Sequence, residues 1–202
     1  MLEIRFHGRG GQGTVVAAVL LARAFFKAGY DVQTFPVFGV ERRGAPVEAY
    51  LRADDRKILV RSNLYAPDHV VVQDAKLLAA IDVTRGLKPG GWVLINSAGM
   101  PEVPEALKPF RLALLDATRI AVEFGLGTRT HPIINTAVIG GFARILGAPP
   151  LDAVKSAIAA EIHIKPEQNM QSAQAAYESV VAVQGALPDA PARNLKTGGE
   201  GA

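Results

Sequence analysis

Between its first apolar run and its first helical run, this chain reads Gly8-Arg9-Gly10-Gly11-Gln12-Gly13. The glycines fall at G-x-G-x-x-G spacing, after Leu2–His7 and before Thr14–Lys27. In such a setting the first glycine makes a tight turn, the second lets a ligand approach the main chain and the third lets helix pack on strand. Amides at the helix start then face outward together, which suits a phosphate or another anion. Arg9 and Gln12 add a charge and an amide at the mouth of the loop. The same spacing also serves a turn whose glycines only permit close strand–helix packing, so the motif fixes local geometry before it fixes a ligand.

Strand and helix signals alternate along the rest of the sequence, the pattern of a sheet flanked by helices. Glu3–His7 reads as a strand, Thr14–Lys27 as a helix stopped at Ala28-Gly29, and Val32–Phe35 as a second strand. Val47–Arg52 and Lys57–Arg61 bracket the polar run Ala53-Asp54-Asp55-Arg56 and predict a hairpin. His69–Gln73 reads as a buried central strand, and Gly91–Asn96 as another after the turn Lys88-Pro89-Gly90. Arg111–Leu115 is a further strand before a helix from Asp116, and Ile134–Leu146, Leu151–Ala160 and Pro166–Val183 read as closing helices. The expected fold is α/β: a Rossmann-like three-layer domain with a mostly parallel sheet, a β-hairpin and C-terminal helices. Residues 1–184 are expected to form this domain. Pro188, Pro191 and Gly198-Gly199-Glu200-Gly201 predict a flexible tail over 185–202.

Composition excludes several kinds of function. With 202 residues, 49% of them apolar, the chain can bury one good core. Its net charge of +3 comes from interspersed charges of both signs, so no nucleic-acid stripe is announced. No apolar run approaches the roughly 18 residues that span a bilayer. Met1-Leu2-Glu3-Ile4-Arg5 lacks the pattern of a signal peptide, which leads to the expectation of a cytoplasmic protein without a membrane partner. The absence of cysteine removes disulfides, thiolate nucleophiles and cysteine-held iron–sulfur clusters. His7, His69, His131 and His163 are far apart in the sequence and form no His-rich cluster, so no metal site is expected. A redox cofactor of that kind would belong to a partner.

A nicotinamide site also needs an acidic residue at the end of the second strand. Asp31 lies at its beginning, and the far end reads Thr34-Phe35-Pro36-Val37-Phe38-Gly39. A rigid stretch follows, Phe35-Pro36-Val37-Phe38-Gly39-Val40-Glu41-Arg42-Arg43-Gly44-Ala45-Pro46. Its adjacent Arg42 and Arg43 suit phosphate or carboxylate, and Glu41 can orient one of them; burial at a subunit interface explains the segment as well. A third stretch is Ile133-Ile134-Asn135-Thr136-Ala137-Val138-Ile139-Gly140-Gly141-Phe142. Asn135 or Thr136 is expected to cap a helix, and the glycine pair implies close approach by a neighbouring backbone. No catalytic set emerges. Asp54 and Asp55 fit a solvated turn, capping accounts for Asp68, Asp74 and Asp116, and Ser97 lacks a nucleophile elbow.

Ile4–Gly13, Phe35–Val47, Ser62–Asp74 and Asn135-Thr136-Ala137 together carry a likeness. Over residues 2 to 180 the sequence resembles the gamma subunit of the 2-oxoacid:acceptor oxidoreductases, the family of pyruvate:ferredoxin oxidoreductase. The resemblance implies oxidative cleavage of a 2-oxoacid on thiamine diphosphate, with transfer of the acyl group to coenzyme A as co-substrate. Electrons would leave through [4Fe-4S] clusters to ferredoxin or an NAD-linked flavoprotein. Thiamine, magnesium and clusters would reside in alpha, beta and delta-type partner subunits. This agrees with the lack of cysteine and of a Gly-Asp-Gly start to a thiamine–magnesium motif. The resemblance further implies that the chain, inactive in isolation, closes over the active site and helps receive coenzyme A. Gly8, Arg9, Gly10, Gly11, Gln12, Gly13, Glu41, Arg42, Arg43, Asn135 and Thr136 are then the candidate contacts. The alternative is an assembly subunit whose loop and arginines touch only neighbouring chains.

Overall fold

The computed structural model describes residues 1–37 and 44–188. Strand β1 (Leu2–Arg9) leads through the glycine loop into helix α1 (Thr14–Lys27), which stops at Ala28 and at Gly29 in the left-handed region. Strands β2 (Asp31–Val37), β3 (Pro46–Asp54), β4 (His69–Val72), β5 (Trp92–Asn96) and β6 (Arg111–Leu115) follow. Helices α2 (Ala117–Glu123), α3 (Asn135–Leu146), α4 (Leu151–Glu161) and α5 (Pro166–Ser179) come next, and strand β7 (Val181–Gln184) closes the order. No described helix is long and apolar enough to cross a membrane.

The sheet runs β2-β3-β1-β4-β5-β6-β7. β1, β4, β5 and β6 are mutually parallel, while β3 is antiparallel to both β1 and β2, and β7 is antiparallel to β6. Five strands therefore point one way and two the other, so the expected mostly parallel α/β sheet is present.

All five helices feed one core cluster against one sheet face, which supplies Ile4, Phe6, Leu51, Val71, Trp92, Leu94 and Leu115. Helix α1 buries Ala17, Leu20, Leu21, Ala24 and Phe25, and its large side chains contribute about 1.5–3 kcal/mol each. The opposite face is covered differently. Over β4–β6 a second cluster gathers Val70, Val72, Val93, Ile95 and Leu112 beneath Leu77, Val83, Leu87 and Leu107. These covering residues come from 3-10 turns at Ala75–Ala79 and Glu105–Leu107 and from the intervening loops. Over β1–β3 that face is polar, although Arg5, His7 and Arg52 are each only 1% exposed.

Two expectations are corrected. Lys57–Arg61 does not pair with Val47–Arg52; the antiparallel partner of β3 at that edge is β2. The short apolar run Ile58-Leu59-Val60 imitates a strand, but side chains hold that backbone: the Ile58 amide donates to Asp31 (2.6 Å) and the Ile58 carbonyl accepts from Gln33 (3.3 Å). The helix expected to reach Val183 ends at Ser179, because the β-branched residues Val181 and Val183 pair as a strand against β6.

Candidate functional site

The C-terminal ends of β1, β4 and β5 meet the beginnings of α1, α2 and α3. Parallel pairing of β1 with β4 sets His7 opposite Val72, so the loop after β1 and Gln73 after β4 leave the sheet side by side. The Gln73 amide donates to the His7 carbonyl (2.8 Å), and the Gln73 carbonyl accepts from Asn96 (3.0 Å). With its backbone fixed at both ends, the Gln73 side chain is directed over Gly8. A Cβ at Gly8 would overlap the Thr14 hydroxyl and lie 2.7 Å from Gln73 Oε1. Glycine here is required by the close approach of two polar side chains.

Those side chains are the most telling feature of the site. Thr14 is 3% and Gln73 1% exposed, yet among the described residues Thr14 Oγ1, Gln73 Oε1 and Gln73 Nε2 have no hydrogen-bond partner. Burying a polar group unpaired costs on the order of 1–3 kcal/mol. Beside them α1 starts from Gly13 in the left-handed conformation (φ 74°) with no side-chain cap, so the amides of its first turn lack an internal acceptor. An electropositive helix end thus lies next to unpartnered donors.

Arg9 and Gln12 are differently engaged. Arg9 Nε donates to Asp74 Oδ2 (2.6 Å), Arg9 Nη1 donates to the Gly44 carbonyl (3.0 Å), and the Arg9 amide donates to Gln12 Oε1 (2.8 Å). Burial works to raise the Asp74 pKa, but hydrogen bonds from Arg9, the Lys76 amide and Gln12 outweigh it and hold the carboxyl below its ordinary value. The loop is also tied to the chain entering β3: the Gly10 amide donates to Ala45 (2.9 Å) and the Gly44 amide to Gly10 (3.2 Å). Glu41, Arg42 and Arg43 lie outside the described residues, which resume at Gly44 against this loop.

On the far side of the mouth, a Cβ at Gly13 would stand 3.3 Å from Asn135 Nδ2. Neither expected cap residue caps α3. Ile134 occupies that position, Asn135 is the first helical residue, and its Oδ1 accepts from the Thr136 amide (2.8 Å). Thr136 turns away, donating to Asn169 of α5 (3.0 Å). Gly8–Gly13 and Asn135 therefore converge, while Thr136 serves the helix bundle.

The remaining acids have structural positions. Asp74 and Asp116 cap, but Asp68 instead accepts from the Glu3 amide (2.7 Å) and from Lys88 (2.8 Å). Asp54 is not a free turn residue: the terminal amino group of Met1 lies 2.8 Å away and lowers its pKa to about 2. Asp31 binds Ile58 at the start of β2, away from the glycine loop. Among the described residues no group of three or more His, Cys, Asp or Glu side chains could hold a metal ion.

A second buried network escaped the sequence. Arg5 donates to His7 Nε2 (3.0 Å) and to the carbonyls of Val83 (2.9 Å) and Arg85 (2.7 Å). Neutral His7 therefore carries its proton on Nδ1, which faces Glu48 Oε1 at 3.6 Å, and Tyr50 donates to the other Glu48 oxygen (2.6 Å). Burial is the main cause lowering the His7 pKa to about 4, with Glu48 opposing and Arg5 adding to it. Sequence alternation puts these residues on one strand face, but only the strand order β3-β1 joins them.

Residues 3–179 match the model of the pyruvate ferredoxin/flavodoxin oxidoreductase family. The chain belongs to this family. Within it the chain is of the gamma-subunit type, a component of a multi-subunit 2-oxoacid oxidoreductase. The "pyruvate/ketoisovalerate oxidoreductases common subunit gamma" of Thermococcus kodakarensis is 50% identical over 185 residues, covering 90% of this chain and 98% of that protein. The pyruvate oxidoreductase subunit PORC of Thermotoga maritima superposes with a TM-score of 0.75 at 32% identity, covering 91% of this chain and 98% of its own. A third structure shares the fold at a TM-score of 0.71 and 19% identity, covering 94% of this chain and 34% of its own. It is the 2-oxoglutarate:ferredoxin oxidoreductase of Magnetococcus marinus with 2-oxoglutarate, coenzyme A and succinyl-CoA bound.

Proposed function

We propose that this chain is the coenzyme A-receiving gamma component of a thiamine-diphosphate-dependent 2-oxoacid:acceptor oxidoreductase. The complex would convert a 2-oxoacid, such as pyruvate or an aryl or branched 2-oxoacid, to acyl-CoA and CO2 in the cytoplasm. The supporting observation is the buried, unpartnered pair Thr14 and Gln73 over Gly8, beside the uncapped start of α1. A phosphate or pyrophosphate oxygen would accept from the α1 amides and from the side-chain Nε2 of Gln73. Gln12, Asn135, Arg42 and Arg43 complete the candidate contacts, and Glu41 orients an arginine. The Magnetococcus structure, which shares the fold and contains coenzyme A, is in keeping with this reading.

The chain's own part is to bind and orient. Holding the thiol carrier near the reacting centre removes much of the entropy of encounter, and the chain's closure over that centre would exclude water. Thiamine diphosphate and [4Fe-4S] clusters would belong to alpha, beta and delta-type partners and would supply the carbon and redox chemistry, with ferredoxin or an NAD-linked flavoprotein as the acceptor. This chain does not fit either group, having no cysteine and no Gly-Asp-Gly sequence. In the assembled complex, Gln73→Leu and Thr14→Val should each raise the KM for coenzyme A about tenfold while leaving that for the 2-oxoacid unchanged. Charge reversal at Arg9 or Arg42 should act in the same direction. Unchanged coenzyme A dependence in all four variants would sink the proposal.

One observation favours a purely structural assembly role. Asp74 and the Gly44 carbonyl hold Arg9, so its charge already serves the loop. Calorimetric titration of coenzyme A into the complex separates the readings: Gln73→Leu weakens binding on the first and leaves it intact on the second.

A further inference from the structure

Residues 57–65 form a strap rather than a strand. They cross the polar face of β2, β3 and β1 along the row where Gln33 pairs with Arg52 and Arg52 with Glu3. At the β2 end Asp31 and Gln33 hold the backbone of Ile58. At the centre buried Arg52 donates to the carbonyls of Ser62 (2.9 Å) and Asn63 (3.2 Å) while Nε binds Glu3 (2.8 Å). At the β1 end Asp68 takes the Glu3 amide. Ile58 and Leu64 point inward, 8% and 3% exposed. Near the far end, a Cβ at Gly86 would overlap the Tyr65 carbonyl, which places Arg85-Gly86 against the strap.

The outer side of this strap is apolar and basic. Leu59 is 78%, Tyr65 74% and Val60 41% exposed. Arg56, Lys57, Arg61 and Arg85 are exposed around them, and none forms an ion pair among the described residues. The only exposed acids in the same stretches are Asp55 and Asp82. No described residue from 57 to 66 makes a backbone–backbone hydrogen bond. Large apolar side chains at this exposure, on a backbone fixed from beneath and rimmed by unpaired cations, match an interface core with a charged rim.

We infer that the outer face of the 57–65 strap is the docking surface for another subunit of the oxidoreductase, one that presents an apolar patch rimmed by carboxylates. The occupant is acidic because four unpaired cations face two acids on this side, and like charges across an interface are excluded. Leu59 and Tyr65 are its anchors, and the Arg52 anchorage means that little ordering entropy is lost on docking. The inference rests on membership of a multi-subunit complex and is independent of coenzyme A binding.

The test is made in the assembled complex. A photoreactive benzoylphenylalanine at position 59 or 65 should crosslink the chain to a different subunit. Leu59→Glu combined with Tyr65→Glu should cut recovery of this chain with a tagged partner at least tenfold, and Arg61→Glu with Arg85→Glu should cut it in a salt-dependent way. Crosslinks only to a second copy of this chain, or none from an intact complex, would overturn the inference, as would full recovery of the Leu59/Tyr65 double variant. Wild-type chain recovered without any partner would instead overturn the multi-subunit reading itself. Crosslinking and recovery do not depend on coenzyme A, so loss of coenzyme A binding would leave both outcomes unchanged.

Discussion

The two faces of β1 are buried to the same degree by opposite chemistry. On the helical side Ile4 and Phe6 are 0% exposed, and Phe6 meets Phe142 edge-on at 6.3 Å. On the other side Arg5 and His7 are 1% exposed within a chain of hydrogen bonds and charge that reaches Val83, Arg85, Glu48 and Tyr50. The apolar face gains from area and tolerates exchange of one hydrocarbon shape for another. The polar face is satisfied only when every partner is present, because its groups have left water. Thus the difference lies in how each face fails.

Removing one side chain from each face puts the two modes of failure side by side. Phe6→Ala should lower unfolding free energy by about 3–5 kcal/mol, read by urea denaturation, because the lost contacts leave a cavity. Arg5→Met should follow at about 3 kcal/mol, since it strands His7 Nε2 and two carbonyls without partners. A neutral or stabilising Arg5→Met would show that the polar face is not held by its network.

The contrast also has a pH signature. His7 titrates at about 4 when folded and near 6.5 when unfolded, so the unfolded chain takes up the proton first. Stability is therefore full above about pH 6.5 and falls as pH drops toward 4. His7 can contribute on the order of 3 kcal/mol to that loss. His69, whose Nδ1 accepts from the Trp92 amide, is lowered to about 4 chiefly by burial and acts in the same direction. His7→Asn should flatten the decline between pH 6.5 and 4, and an unchanged slope would assign it to other groups. Smallest of all, Tyr65→Ser should alter stability by less than about 0.5 kcal/mol, because its side chain rests on nothing that folding requires.

What the sequence disclosed follows the range of the interactions involved. Helix α1 was legible from Thr14 to Lys27 because a glycine loop and Ala28-Gly29 bracket a continuous apolar stripe. The order of strand and helix signals likewise led to the α/β sheet. The Lys57–Arg61 hairpin failed because Arg52 and Gln33 replace a ladder with side-chain bonds that no local pattern encodes. The glycine loop and Asn135 were visible as motifs. Thr14 and Gln73 were not, since their meeting over Gly8 depends on β4 lying beside β1. Arg9 was visible as a charge but not as the partner of Asp74, for the same reason.

Helix α3 approaches α5 so closely that a Cβ at Gly140 would fall 2.7 Å from the Ala173 Cα and overlap its carbonyl oxygen. Asn135 sits five positions earlier on the same helix, about 7.5 Å along its axis. The spacing between two main chains therefore acts as a gauge for the opening between Asn135 and Gly13. A side chain at position 140 would lever the helix outward and widen an opening it never touches.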